Sequence, residues 1–129
     1  MVIRDTTLDF DDINRKLEIG PTLIQKNGTA IREGGKTKAP LDSWRFEITI
    51  TEETKSEEVI KLLLDSLTPN AKGINELMDT YMDVGIECYL RSEYGQMGLQ
   101  LSTETIKKIA FLGVRLDIHI LSFGGVEED

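Results

Sequence analysis

The stretch VRLDIHIL, residues 114–121, holds the only histidine of the chain, His119, two positions after Asp117. Two readings compete for it. An aspartate near a histidine is half of a catalytic set, and strict alternation is the mark of a strand with one dry and one wet side. Val114, Leu116, Ile118 and Ile120 alternate with Arg115, Asp117 and His119, a period of two that an extended strand converts into two faces. The stretch therefore predicts a half-buried strand that carries Arg115, Asp117 and His119 outward.

Two further segments share this pattern. Over 43–51, Trp44, Phe46, Ile48 and Ile50 alternate with Arg45, Glu47, Thr49 and Thr51; over 82–93, Val84, Ile86, Cys88 and Leu90 oppose Glu87, Tyr89 and Arg91. Central strands of a doubly wound sheet read instead as unbroken apolar runs, because both of their faces are covered. One face of this sheet should therefore be open. Val2 to Arg4 reads as at most a short edge strand, and Leu99 and Leu101 as another short strand after a turn over 95–98.

The covered face needs helices. Phe10, Ile13 and Leu17 recur at helical spacing within 9–18, and Gly20-Pro21 stops that pattern, since proline lacks a donor and biases its predecessor away from helix. Thr54-Lys-Ser-Glu57 has the form of a capping box opening a helix over 55–67, with Val59, Leu63 and Leu67 as its buried stripe, widened by Ile60, Leu62 and Leu64. Pro69 starts the next helix, where Ile74, Leu77, Met78 and Tyr81 fall on one side. Ser102 caps a last helix, with face Ile106, Ile109 and Ala110 and Gly113 at its end, the residue that most easily takes a left-handed C-terminal conformation. The expected fold class is α+β: one mostly antiparallel or mixed sheet of three or four strands, helices on one face, and a polar open face.

Residues 20–43 are the least regular. Asn27-Gly28 between TLIQK and TAI is a two-residue hairpin signal, and residues 29–42 read as a mobile basic loop. Lys26, Arg32, Lys36 and Lys38 against Glu33 and Asp42 leave the region 20–43 at +2, while the whole chain is −8. The acidic remainder repels phosphate backbones, so nucleic acid is not an expected partner. Ala30 to Thr37, AIREGGKT, resembles a phosphate loop only in part. Alanine stands where the first glycine belongs, and Ala39-Pro40 prevents the helix whose amides would hold phosphate.

At 129 residues the chain fits a single domain, 1–129, with a frayed acidic tail over 124–129. No secretory apolar region follows Met1 and no apolar run approaches a membrane span. The one cysteine, Cys88, has no internal disulfide partner. A reduced bacterial cytoplasmic setting is the expectation, with no membrane partner.

Gly20-Pro-Thr22, Lys26 and Gly28, Ser43-Trp44, Gly98-Leu-Gln-Leu-Ser102 and Leu116-Asp-Ile118 occur in an order and separation that resemble bacterial domain-of-unknown-function family number 4279. The likeness spans about Leu8 to Phe123. It departs in two places: the family opens with a longer strand than Met1 to Asp5 allows, and LIQ stands where the family often has an aromatic. The resemblance implies a compact bacterial cytosolic domain and brings no catalytic residues to carry over.

Arg45, Glu47, Glu87, Tyr89, Arg91, Arg115, Asp117 and His119 are thus expected on the open face. They can be a solvated surface, in which cross-strand charge pairs contribute ~0.2–1 kcal/mol each, or a contact surface for a protein partner or a second copy, with arginine and tyrosine as anchors. Lys26, Arg32, Lys36 and Lys38 are the corresponding loop candidates. A catalytic reading lacks its other parts. No Gly-x-Ser-x-Gly elbow occurs, Cys88 points inward, and one histidine with scattered carboxylates falls short of a metal set. The expected function is non-catalytic protein–protein contact, immunity-type or regulatory, with no cofactor and no metal. The alternative is a ligand-binding or hydrolytic site built on Asp117, His119 and Glu87.

Overall fold

The computed structural model describes residues 1–49, 56–94 and 98–125. Its elements run β1 (Val2–Asp5), α1 (Phe10–Leu17), β2 (Leu23–Gln25), β3 (Asp42–Arg45), α2 (Ser56–Leu67), a 3-10 turn (Thr68–Asn70), α3 (Ala71–Thr80), β4 (Asp83–Tyr94), α4 (Thr103–Leu112) and β5 (Arg115–Gly125). The fold is α+β, with one mixed five-stranded sheet in the order β2-β3-β1-β4-β5. Neighbours pair antiparallel except β4 and β5, which are parallel. A parallel pair needs a crossover rather than a hairpin, and α4 supplies it.

Besides the strand expected over 43–51, which ends at Arg45 and leaves residues 46–49 irregular, two strands differ from the sequence expectation. β1 is not an edge strand but the centre of the sheet, pairing β3 on one side and β4 on the other. Its four residues suffice because both sides are used: Ile3 packs between Trp44 and Val84 with no exposed surface, and Arg4 reaches Asp83 and Glu87. The Met1–Phe46 backbone pairing extends the β1–β3 register by one step. The second difference is that Leu99 and Leu101 form no strand; both pack irregularly against the core.

The core side of the sheet carries Ile3, Trp44, Val84, Ile86 and Leu116, closed by Ile13 and Leu17 of α1, Ile60, Leu64 and Leu67 of α2, Ile74 and Leu77 of α3, and Leu112 of α4. Trp44 is fully buried, and its indole N–H donates to Asn14 Oδ1 at 2.9 Å, so its one polar atom stays satisfied. Helix α1 is capped by the Asp9 carboxylate, which accepts from the Asp12 amide at 3.1 Å, and ends at Glu18 in the left-handed region rather than at Gly20-Pro21. Gly73 lets α3 close onto α1: a Cβ there would overlap the Lys16 carbonyl.

Helix packing corrects two predicted stripes. Leu62 of α2 is exposed, and the buried set is Ile60, Leu63, Leu64 and Leu67. On α4, Ile106 is 53 % exposed and Ala110 exposed, while Thr105 and Leu112 are fully buried. The helix is rolled because its start is fixed by polar contacts. Glu57 of α2 accepts from the Ser102 amide at 2.5 Å, Ser102 caps Thr105, and Lys108 pairs with Asp65 of α2 at 3.0 Å. The Thr105 hydroxyl lies 3.1 Å from that of Ser102, which lets threonine occupy a core position. Ile50, Thr51, the Thr54 and Lys55 end of the capping box, the turn at 95–97 and the acidic end 126–129 lie outside the described residues.

The region between β2 and β3 is also organised differently. Asn27-Gly28 does make a tight turn, with the Thr29 amide donating to Lys26 O and Gly28 at φ +84°. The strand before it pairs with β3, however, not with Thr29 to Ile31. The intervening chain folds back on itself instead: Ala30 bridges Lys38, and Gly28 and Thr29 exchange hydrogen bonds with Ala39. Asp42 ties the base by accepting from the Asn27 amide at 2.7 Å and the Leu8 amide at 3.0 Å.

Candidate functional site

Register places the predicted outward residues on one surface. In β4 and β5 the pairs Gly85–Arg115, Glu87–Asp117 and Tyr89–His119 alternate with Ile86–Leu116 and Cys88–Ile118, so charged and apolar rows are in phase across both strands. Arg4 of β1 pairs with Asp83, and Arg45 of β3 with Val2, on the same polar side. Glu47, just beyond β3, is exposed, its amide bonded to the Thr22 hydroxyl at 3.0 Å.

Most charges of this face are satisfied by one another. Arg4 grips Glu87 with both guanidinium ends, at 2.8 and 3.3 Å, and reaches Asp83 at 3.2 Å. Arg115 bonds Asp83 and holds Asp117 at 2.5 Å through Nε. Paired guanidinium and carboxylate groups of this kind are directional and charge-assisted. The Arg4 hydrogen bond drives the Glu87 carboxyl down to about 2 against the opposing effect of burial, helped by the Tyr89 hydroxyl, which donates to Glu87 Oε2 at 2.9 Å. That same donation pushes the Tyr89 phenol up.

Two groups lie at the margin of this network. Tyr89 is 55 % exposed and stacks on His119, ring centroids 4.7 Å apart and planes 14° from parallel. Its hydroxyl is held by Glu87, so the ring is fixed at both ends. Arg45 makes no ion pair among the described residues, and its Nε is sealed from water with no acceptor.

Asp117 and His119 share a side of one strand, but the Asp117 carboxylate is turned to Arg115 while His119 lies against Tyr89. Cys88 points to the core side, partly buried, and burial pushes its thiol up, the opposite of what an activated thiolate needs. No group of three or more His, Cys, Asp or Glu side chains that could hold a metal ion occurs among the described residues. No helix among them is long and apolar enough to cross a membrane.

The loop candidates are not brought to this site. Lys26, Arg32, Lys36 and Lys38 are exposed on the arm joining β2 to β3, while Tyr89, Arg115, Asp117 and His119 lie on the last two strands at the opposite end of the sheet. Arg4 and Asp83 belong to the face but are not among the residues expected on it. In the sequence Arg4 reads as part of an edge, and Asp83 lies within the strand read over 82–93 without being named among its outward residues. The signal that could find both is the alternation Arg4-against-Ile3 and Asp83-against-Val84.

The family described as Domain of unknown function (DUF4279) matches residues 1–123. No curated protein and no solved structure matches the chain.

Proposed function

The chain belongs to the DUF4279 family, and from that premise we propose that it is a non-catalytic domain whose open sheet face binds a protein partner. The observation that carries the reading is the division of labour on that face. Arg4, Glu87, Asp83, Arg115 and Asp117 satisfy one another, and the exposed Tyr89–His119 stack is left to a partner. A ring already held by a hydrogen bond and a stack loses little freedom on binding, which favours it as an anchor. Tyrosine is one of the residues enriched in that role.

The face is also close to neutral. Arg4, Arg45, Arg91 and Arg115 stand against Glu47, Asp83, Glu87 and Asp117, so these eight residues sum to zero and the net charge of −8 lies elsewhere in the chain. Recognition there rests on contact rather than on bulk attraction, and a partner held by this face survives a high-salt wash. An immunity-type partner drawn to the acidic remainder would be released by the same wash, because screening weakens such attraction. The hydrolytic alternative asks Glu87 or Asp117 to move a proton. Each is instead held by an arginine as an acceptor.

Affinity capture from extracts of the cells that make the protein tests this reading. The paired variant Tyr89→Ala/His119→Ala is expected to lose the wild-type partner, and the loop variant Lys36→Ala/Lys38→Ala to keep it. Retention by the first variant, or loss only in the second, overturns the assignment to the sheet face.

A further inference from the structure

We propose that the hairpin arm between β2 and β3 is a docking site for a short acidic segment of a partner protein. The arm is ordered by its own backbone. Ala30 bridges Lys38, the Ile31 amide donates to Thr37 O at 3.0 Å, and the Ala39 amide donates to Thr29 O at 2.7 Å. At the tip the Gly35 amide closes a tight turn onto Arg32 O at 2.9 Å, with Gly34 at φ +72°, a backbone that suits glycine. Every residue from 26 to 38 is exposed, and only Ala39 at the foot is buried. Ordering a backbone costs roughly 1–2 kcal/mol per residue, and this arm adds almost nothing to the core in return. Such a segment is kept for contact.

Its cations are the second observation. Arg4, Arg15, Lys16, Lys61, Lys108 and Arg115 each reach a carboxylate elsewhere in the fold. Lys26, Arg32, Lys36 and Lys38 reach none among the described residues. Glu33 is the only carboxylate between 26 and 38, so the four cations leave the arm at +3 and the remainder of the chain at −11. The positive charge of the arm is thus left without an internal counter-charge, on an otherwise acidic protein.

The arm sets the sign of the occupant, and the acidic remainder sets its size. A nucleic acid or an anionic membrane carries charge over distances well beyond the ~8 Å screening length of physiological salt. It would meet the −11 remainder as well as the arm, and be repelled by it. A short acidic segment touches the arm alone. Ile31 on the arm is exposed, as are Leu23 and Ile24 of β2 at its foot. The segment that fits therefore has apolar side chains among its carboxylates. The arm lies at the other edge of the sheet from the Tyr89–His119 stack, and the inference does not depend on a partner binding there.

NMR titration of the isotope-labelled full chain with a short peptide of glutamate and leucine tests it. The amides of residues 26–38 are expected to shift and those of Tyr89 and His119 to stay. Affinity should fall at least about tenfold between roughly 50 and 300 mM salt. Lys36→Glu/Lys38→Glu, with circular dichroism unchanged, should weaken binding at least about tenfold, and the same peptide with glutamine in place of glutamate should not bind. Undiminished binding by the charge-reversed variant or by the glutamine peptide overturns the proposal, as does an arm whose amides the acidic peptide leaves unmoved. Tighter binding of an oligothymidylate or of phosphatidylserine vesicles at the arm overturns it too. Tyr89→Ala/His119→Ala should leave the peptide affinity unchanged, so this inference and the sheet-face reading fail separately.

Discussion

Arg4, four residues into the chain, closes on both carboxylate oxygens of Glu87 from the adjacent strand β4, at 2.8 and 3.3 Å. The contact spans 83 positions of sequence and ties the central strand to the strand that bears Tyr89. Glu87 is 8 % exposed there, so its charge is tolerated only because Arg4 and Tyr89 satisfy it.

This pair predicts an acid-dependent loss of stability. The Glu87 carboxyl lies at about 2 in the fold, well below its ordinary 4.5. A lowered carboxyl contributes stability that is complete above the unfolded value and is lost as pH falls through the folded one. Glu87→Gln should cost roughly 1–3 kcal/mol at pH 7, measured by urea unfolding. The difference from wild type should shrink between pH 4.5 and pH 2. A gap that persists unchanged at pH 2 would show that the charge is not its source.

The buried indole gives a second prediction. Asn14→Ala removes the acceptor 2.9 Å from the N–H of the fully buried Trp44, and should cost about 1–3 kcal/mol. In Trp44→Phe the same Asn14→Ala change should cost distinctly less, because no donor is stranded. Equal costs in both backgrounds, read by thermal unfolding, would remove the hydrogen bond from the account.

Rolling of α4 is tested by two truncations. Leu112→Ala empties a fully buried site and should destabilise by ~2–5 kcal/mol. Ile106→Ala, at a position 53 % exposed, should stay within about 0.5 kcal/mol. Comparable losses would mean that the helix buries the face its apolar residues suggest.

Much of this arrangement is legible in the sequence because period-two alternation survives wherever one face of a strand is wet. VRLDIHIL and the Val84 to Leu90 segment assign their own sides correctly, and the Ser102 and Gly113 caps bound α4. The family resemblance is right as well. Register is not legible, and so the pairing of Tyr89 with His119 cannot be read. β1 is misplaced because four residues carry too little pattern to tell centre from edge; its position is decided by the strands on either side. The α4 face is misjudged because a threonine with a hydroxyl partner can be buried as readily as an isoleucine, and that partner becomes apparent only in three dimensions. Asn27-Gly28 marks a turn without revealing which strands it joins.

The central claim is that a protein partner sits on the Tyr89–His119 stack, and site-specific photo-crosslinking in the producing cells tests it most directly. A photoreactive phenylalanine derivative at position 89 keeps an aromatic ring in the stack, and one at Lys107, exposed on α4, serves as the control. The account predicts a discrete adduct with one protein from position 89 that is absent from position 107. The same adducts from both positions, or none from 89 while the protein remains folded, would contradict it.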